Sequence, residues 1–170
     1  HQKLKKKYFN LLTIIIPRHI ERSESVKNDL MKLNLNTQIL HTNDKIKKDT
    51  EVLIVNSYGQ TKSFYSVCKN IFLGGSLIDH GGQNPLEATR FGCKVMYGPS
   101  IYNFKEIYQL LSKKKMATQI KNEKDIIKSL DNSLSKSSNF KKKQKELKRI
   151  GKKILKNYYK KICSLKKNEN

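Results

Sequence analysis

Between residues 11 and 130, short apolar, β-branched runs alternate with segments of helical period, and that alternation leaves few folds open. The run Leu11, Leu12, Thr13, Ile14, Ile15, Ile16 is ended by Pro17, the pattern of a strand covered on both faces. Residues 22–33 follow with Val26, Leu30 and Leu33 at the i, i+4, i+7 spacing of a buried helical stripe. Strands are predicted at 37–40 and 51–55, with a polar loop at 41–49 between them. The alternation continues with a helix near 59–67, a strand at 71–73, a helix at 85–91 and a strand at 94–97. A helix at 103–112, a strand at 116–120 and a helix at 123–130 complete it. The expected class is α/β: a Rossmann-like, mostly parallel sheet with helices on both faces.

Within this pattern, residues 71–87 stand out. A buried strand runs into a glycine-rich loop and then a helix start, with Asn84 as cap, Pro85 as first residue and Gly92 in the left-handed position at the end. Asn84 and Glu87 also describe a capping box, so the helix needs no ligand to explain it. Capping alone does not require two glycine pairs, Gly74-Gly75 and Gly81-Gly82, just before it. Glycines allow close backbone approach, and unpaired N–H groups at a helix start point at an anion. A carboxylate such as Glu87 on the first turn can accept hydrogen bonds from both hydroxyls of a ribose. The favoured reading is a nucleotide site.

Ligands of parallel sheets bind beyond the carboxyl ends of the strands. Three loops lie at such ends: residues 17–22, 56–60 and 74–87. They are expected to converge on one crevice. Arg18 has the planar fork that grips a phosphate, with an ion pair to Glu21 or Asp44 as the alternative, and His19 beside it could donate to a phosphate or a base. Several other chemistries lack their residues. There is no Walker loop, no G-x-G-x-x-G fingerprint and no G-x-S-x-G elbow. His1, His19, His41 and His80 lack metal-ligand spacing, and Cys68, Cys93 and Cys163 suggest neither a disulfide framework nor a zinc site. No metal or cofactor is expected.

The formal charge of +22 comes from 32 Lys and 4 Arg against 14 acids, and it is uneven. Residues 136–167 hold 14 Lys or Arg and one acid, Glu146. Such a surplus suits acidic lipid, nucleic acid or phosphorylated ligands, although a nucleic-acid footprint would lean on arginine and on aromatics for stacking, and a lysine excess differs from that. A long helix at 139–165 is predicted, with Phe140, Leu147, Ile150, Ile154, Tyr158, Ile162 and Leu165 as its apolar stripe. Two parts are therefore expected: a nucleotide-binding α/β domain at 1–135, which the resemblance given below makes a nucleotide-sugar donor-binding domain, and a lysine-rich amphipathic helix at 136–170 packed on it. No apolar run reaches the ~20 residues needed to span a bilayer.

Taken together, Pro17-Arg18-His19 with Glu21-Arg22, residues 56–60 (Asn-Ser-Tyr-Gly-Gln) and residues 73–76 (Leu-Gly-Gly-Ser) resemble one known family. Residues 81–87 (Gly-Gly-Gln-Asn-Pro-Leu-Glu), Gly98-Pro99 and Asn103-Phe104 complete the match. The sequence resembles the carboxyl-terminal domain of the 3-deoxy-D-manno-octulosonic acid (Kdo) transferases. The resemblance implies the carboxyl-terminal half of a GT-B glycosyltransferase, with the first strand of the donor domain absent. It implies Kdo transfer from CMP-Kdo to a lipid A precursor at the cytoplasmic face of the inner membrane. Carried over residue by residue, Arg18, His19, Ser57, Gly59, Gly74, Gly75, Gly81, Gly82, Gln83, Asn84 and Glu87 would bind the donor nucleotide. The catalytic base would belong to an amino-terminal domain, leaving this chain inactive alone. Where the family tends to carry charged residues, this chain has Asn56, Gln60 and Gln83. The competing readings are another GT-B transferase or a nucleotide-sugar epimerase, or, in a different class, a basic module binding nucleic acid or membrane.

Overall fold

Four consecutive apolar residues, Val52, Leu53, Ile54 and Val55, are each at most 1% exposed, which only a strand flanked and covered on every side achieves. The computed structural model describes residues 1–135 and 140–167. They group into two compact units, His1–Ser66 and a second from Val67 onward. The boundary falls inside the segment 1–135 that the sequence suggests is a single domain.

In the first unit, helix α1 (Gln2–Lys5) precedes β1 (Thr13–Ile15), α2 (Ser23–Lys32), β2 (Thr37–Leu40), β3 (Val52–Val55) and α3 (Thr61–Val67). The sheet order is β1-β3-β2, all parallel, with Ile14 opposite Leu53 and Gln38 opposite Leu53 on the other side. The central strand is thus the buried one. Strand β1 lies at an edge and is only half-buried, contrary to the expectation from its apolar run. The predicted stripe of α2 also needs correction. Val26 and Leu30 are half-buried, but Leu33 is 57% exposed because the helix ends there and Asn34 turns the chain at φ 56°. Leu35, bonded through its N–H to Leu30 O, folds into the core in its place.

The second unit contains β4 (Asn70–Phe72), α4 (Leu86–Arg90), β5 (Lys94–Tyr97), α5 (Lys105–Lys113), β6 (Ala117–Gln119), α6 (Glu123–Leu134) and α7 (Phe140–Lys167). Its sheet, β4-β5-β6, is again parallel and again has the most buried strand at its centre. Tyr97 and Tyr108 stack with ring centroids 4.3 Å apart, which fixes α5 on that strand. Helix α6 starts with a reciprocal cap: Asn122 Oδ1 accepts from Asp125 N–H, and Asp125 accepts from Lys121 N–H. Cys93 Sγ donates to Cys68 O. Burial, with Cys68 nearby and against a backbone hydrogen bond, pushes the Cys93 thiol up to about 11, so it stays protonated and serves packing.

Helix α7 covers most of the predicted carboxyl-terminal helix. Of its stripe, Leu147 is buried and Ile150 half-buried, whereas Tyr158 is exposed. Residues 136–139 and 168–170 and the side chains of Phe140, Ile154, Ile162 and Leu165 lie outside the described residues.

The burial contrast gives a direct test. Leu53→Ala is expected to cost about 2–5 kcal/mol in urea denaturation, by leaving a cavity in the central strand. Leu33→Ala, although part of the apparent stripe, is expected to stay within about 0.5 kcal/mol of the parent.

Candidate functional site

The carboxyl ends of β2 and β3 are tied to the start of α2 by one asparagine. Asn56 donates its N–H to Leu40 O at 3.0 Å, and its Oδ1 accepts from Ser23 Oγ at 3.1 Å. Ser23 opens α2 and is 2% exposed, so this is a braced junction. Its partner loop is held as well, since Tyr58 OH donates to Glu21 at 3.4 Å. Two of the three predicted loops, 17–22 and 56–60, therefore meet within the first unit. Asn56 supplies scaffold geometry, and Ser23 was not apparent from sequence, where it looks like an ordinary helix-start serine.

Around that junction, Arg18 and His19 are exposed, with His19 in extended backbone (φ −114°, ψ 107°) just before a short 3-10 turn, Ile20–Arg22. Among the described residues Arg18 is in no ion pair with Glu21 or Asp44, the alternative raised by the sequence. Ser57 is half-buried and Gly59, at φ 79°, is exposed with open space where a side chain would be.

In the second unit the loop after β4 is organised by Ser76, which is fully buried. Its Oγ donates to Leu73 O at 2.6 Å and accepts from Gly98 N–H at 2.8 Å, and its carbonyl accepts from Ser100 N–H. The end of β4 is thus stitched to the end of β5. A Cβ at Gly98 would sit 2.2 Å from Ser76 O, so only glycine permits this approach. Tyr108 OH, from α5, donates to Gln83 O at 2.8 Å and pins the far side of the loop.

The two glycine pairs then separate in role. Gly81 and Gly82 are buried, both at φ 73°, and their N–H groups are already taken, by Ser100 Oγ and by Gly75 O. A side chain at Gly81 would overlap Asn103 and Tyr102. They shape the loop, with their own amides engaged inside it. Gly74 is exposed with open space beside it, and Gly75, at φ 69°, is half-buried. Gln83, Asn84 and Glu87 line the same loop and are exposed. Asn84 Oδ1 accepts from Leu86 N–H at 3.0 Å, an Asx turn leading into the helix, whose cap position is Pro85 in place of the predicted Asn84. The helix behind it is shorter than predicted, Leu86–Arg90 in place of 85–91. Five residues carry only a small dipole, so any anion here depends more on side chains and loop amides than on the helix. Among the described residues, no cluster of His, Cys, Asp and Glu could hold a metal ion.

Changing the loop's glycines should separate shape from access. Gly81→Ala is expected to lower the urea midpoint markedly, because strained φ and overlap with Asn103 act together. Gly74→Ala is expected to leave stability within about 0.5 kcal/mol of the parent.

Comparison with known proteins agrees with this picture. No family model matches the chain. Over 111 residues it is 38% identical to the 3-deoxy-D-manno-octulosonic acid transferase of Haemophilus influenzae, covering 65% of this chain and 26% of that protein. Over 134 residues it is 29% identical to the transferase of Aquifex aeolicus, covering 79% of this chain and 36% of that one. The chain spans about a quarter to a third of the length of these curated relatives. Among solved structures, the C-terminal CMP-Kdo binding domain of WaaA from Acinetobacter baumannii superposes with a TM-score of 0.75 at 24% identity. That match covers 87% of this chain and 79% of that one. The chain is a relative of the Kdo transferases, and its α/β fold is that of their carboxyl-terminal domain.

Proposed function

We propose that this chain is the donor-binding part of a Kdo transferase, a GT-B glycosyltransferase that moves Kdo from CMP-Kdo to a lipid A precursor in lipopolysaccharide synthesis. The observation that carries the proposal is the loop after β4. In a relative of the Kdo transferases, it keeps Gly74, Gly75, Gln83, Asn84 and Glu87 at its accessible edge while Ser76, Gly98 and Tyr108 hold it rigid. Preorganised polar groups on a braced loop are what selective nucleotide binding requires.

In this reading Glu87 accepts the two ribose hydroxyls, and the amides of Gly74 and Gly75, with Asn84 and Gln83, meet the phosphate. Within the first unit, Arg18 offers a charged fork and His19 a hydrogen-bond donor, and Ser57 and Gly59 lie on the neighbouring loop. As the bond between the Kdo anomeric carbon and the phosphate oxygen breaks, negative charge gathers on CMP. The loop donors stabilise it there. The acceptor hydroxyl attacks the anomeric carbon from the opposite side, inverting it. Its proton goes to a base that the donor-binding residues do not supply. The acceptor and the donor would meet at the cytoplasmic face of the inner membrane.

Calorimetric titration tests this reading. CMP is expected to bind and to compete better than UMP. Glu87→Ala, checked for an unchanged melting curve, is expected to weaken CMP by tenfold or more, about 1.4 kcal/mol. Equal affinity for CMP in the parent and in Glu87→Ala, or binding that vanishes only with added salt, would show a non-specific basic surface instead.

A further inference from the structure

Helix α7 changes character along its length. In its first half Leu147 is 8% exposed, Gln144 donates to Arg90 O, and Glu146 pairs with Lys114 at 2.6 Å. That half is docked on the second unit. Beyond Gly151 the apolar side chains emerge: Leu155 is 71% exposed, Tyr158 64% and Tyr159 68%. Leu155 and Tyr158 stand eight and eleven residues after Leu147, so they continue the stripe that the first half buries. Lys152, Lys153, Lys156 and Lys160, all exposed, occupy the rest of the circumference. From residue 151 to 167 there are seven lysines and no acid.

We infer that the distal half of α7 is an interfacial helix that lies on an anionic lipid bilayer, inserting Leu155, Tyr158 and Tyr159 among the acyl chains and headgroups while its lysines pair with lipid phosphates. A bilayer surface satisfies both halves of the pattern at once. Tyrosines sit well where one end is apolar and the other wet, and lysine stems lie along the apolar boundary with their ammonium groups in the headgroup layer. A second copy of the chain would set seven lysines against seven others with no acid between them. A nucleic acid would answer the lysines, and a single strand could stack on the tyrosines, but Leu155 would be left uncovered. Among the described residues no helix is long and apolar enough to cross a membrane, so the contact is one of lying on the surface. The inference stands independently of the nucleotide site.

The chain has no tryptophan, so Tyr158→Trp gives a single reporter. The full chain carrying it is mixed with vesicles of phosphatidylcholine alone, or of phosphatidylcholine with phosphatidylglycerol, and followed by sedimentation and emission wavelength. Binding to the anionic vesicles with a blue shift, and little binding to the neutral ones, is expected. Replacing Lys152, Lys153, Lys156 and Lys160 together by Gln should weaken it roughly a hundredfold or more. Leu155→Asp should weaken it about tenfold. Both variants should keep the parent's thermal melt, because the altered side chains are exposed. No binding to anionic vesicles overturns the inference. So does binding without a blue shift and indifferent to Leu155→Asp, which is charge adsorption only, and so does a concentration-dependent blue shift without lipid, which is self-association.

Discussion

The contact between Ser76 and Gly98 is the point on which the second unit's functional surface depends. One buried hydroxyl both donates and accepts, joining the ends of β4 and β5, and the backbone approach it needs admits no Cβ at Gly98. A buried hydroxyl without those two partners would cost about 1–3 kcal/mol, so the arrangement holds as a unit or fails as one. Given that junction, Ser100 follows in register, Gly81 finds its acceptor, and Gln83, Asn84 and Glu87 are carried to an accessible edge. The first unit repeats the solution with different residues, Asn56 and Ser23 taking the place of Ser76 and Gly98. In both units a buried central strand supplies stability, and hydrogen-bonded loops are held at the carboxyl ends of the sheet.

That division of labour explains what the sequence disclosed and what it hid. Strand β2 came out at its predicted bounds, 37–40, and β5 at 94–97, because short β-branched or apolar runs between polar turns have few other uses. The half-burial of β1 was hidden, since a hydrophobic run does not say whether its strand pairs on one side or two. Leu33 misled for a similar reason: periodicity extends a stripe past the residue where backbone geometry ends the helix.

At the site, the polar residues were legible because they fell in a spacing that resembles a known family. Their division of tasks was not. Gly74 and Gly81 are the same letter in the same loop, yet one faces open space and the other is wedged under Tyr102 and Asn103, residues from a later stretch of the chain. Tyr108 likewise looks like a core aromatic in an amphipathic helix until its hydroxyl is found holding Gln83 O. Long-range hydrogen bonds of this kind leave no periodic trace. The basic helix posed the opposite problem. Its amphipathicity was plain, but only the exposure of Leu155 and Tyr158 separates the part that packs on its own domain from the part left open.

Amide chemical-shift mapping during a CMP titration of the isotopically labelled chain tests the central claim most directly. The account predicts saturable shifts concentrated at residues 74–75 and 83–87, with the amides of α7 unmoved. Shifts confined to the lysine-rich α7, or spread over the basic surface and abolished by moderate salt, would contradict it.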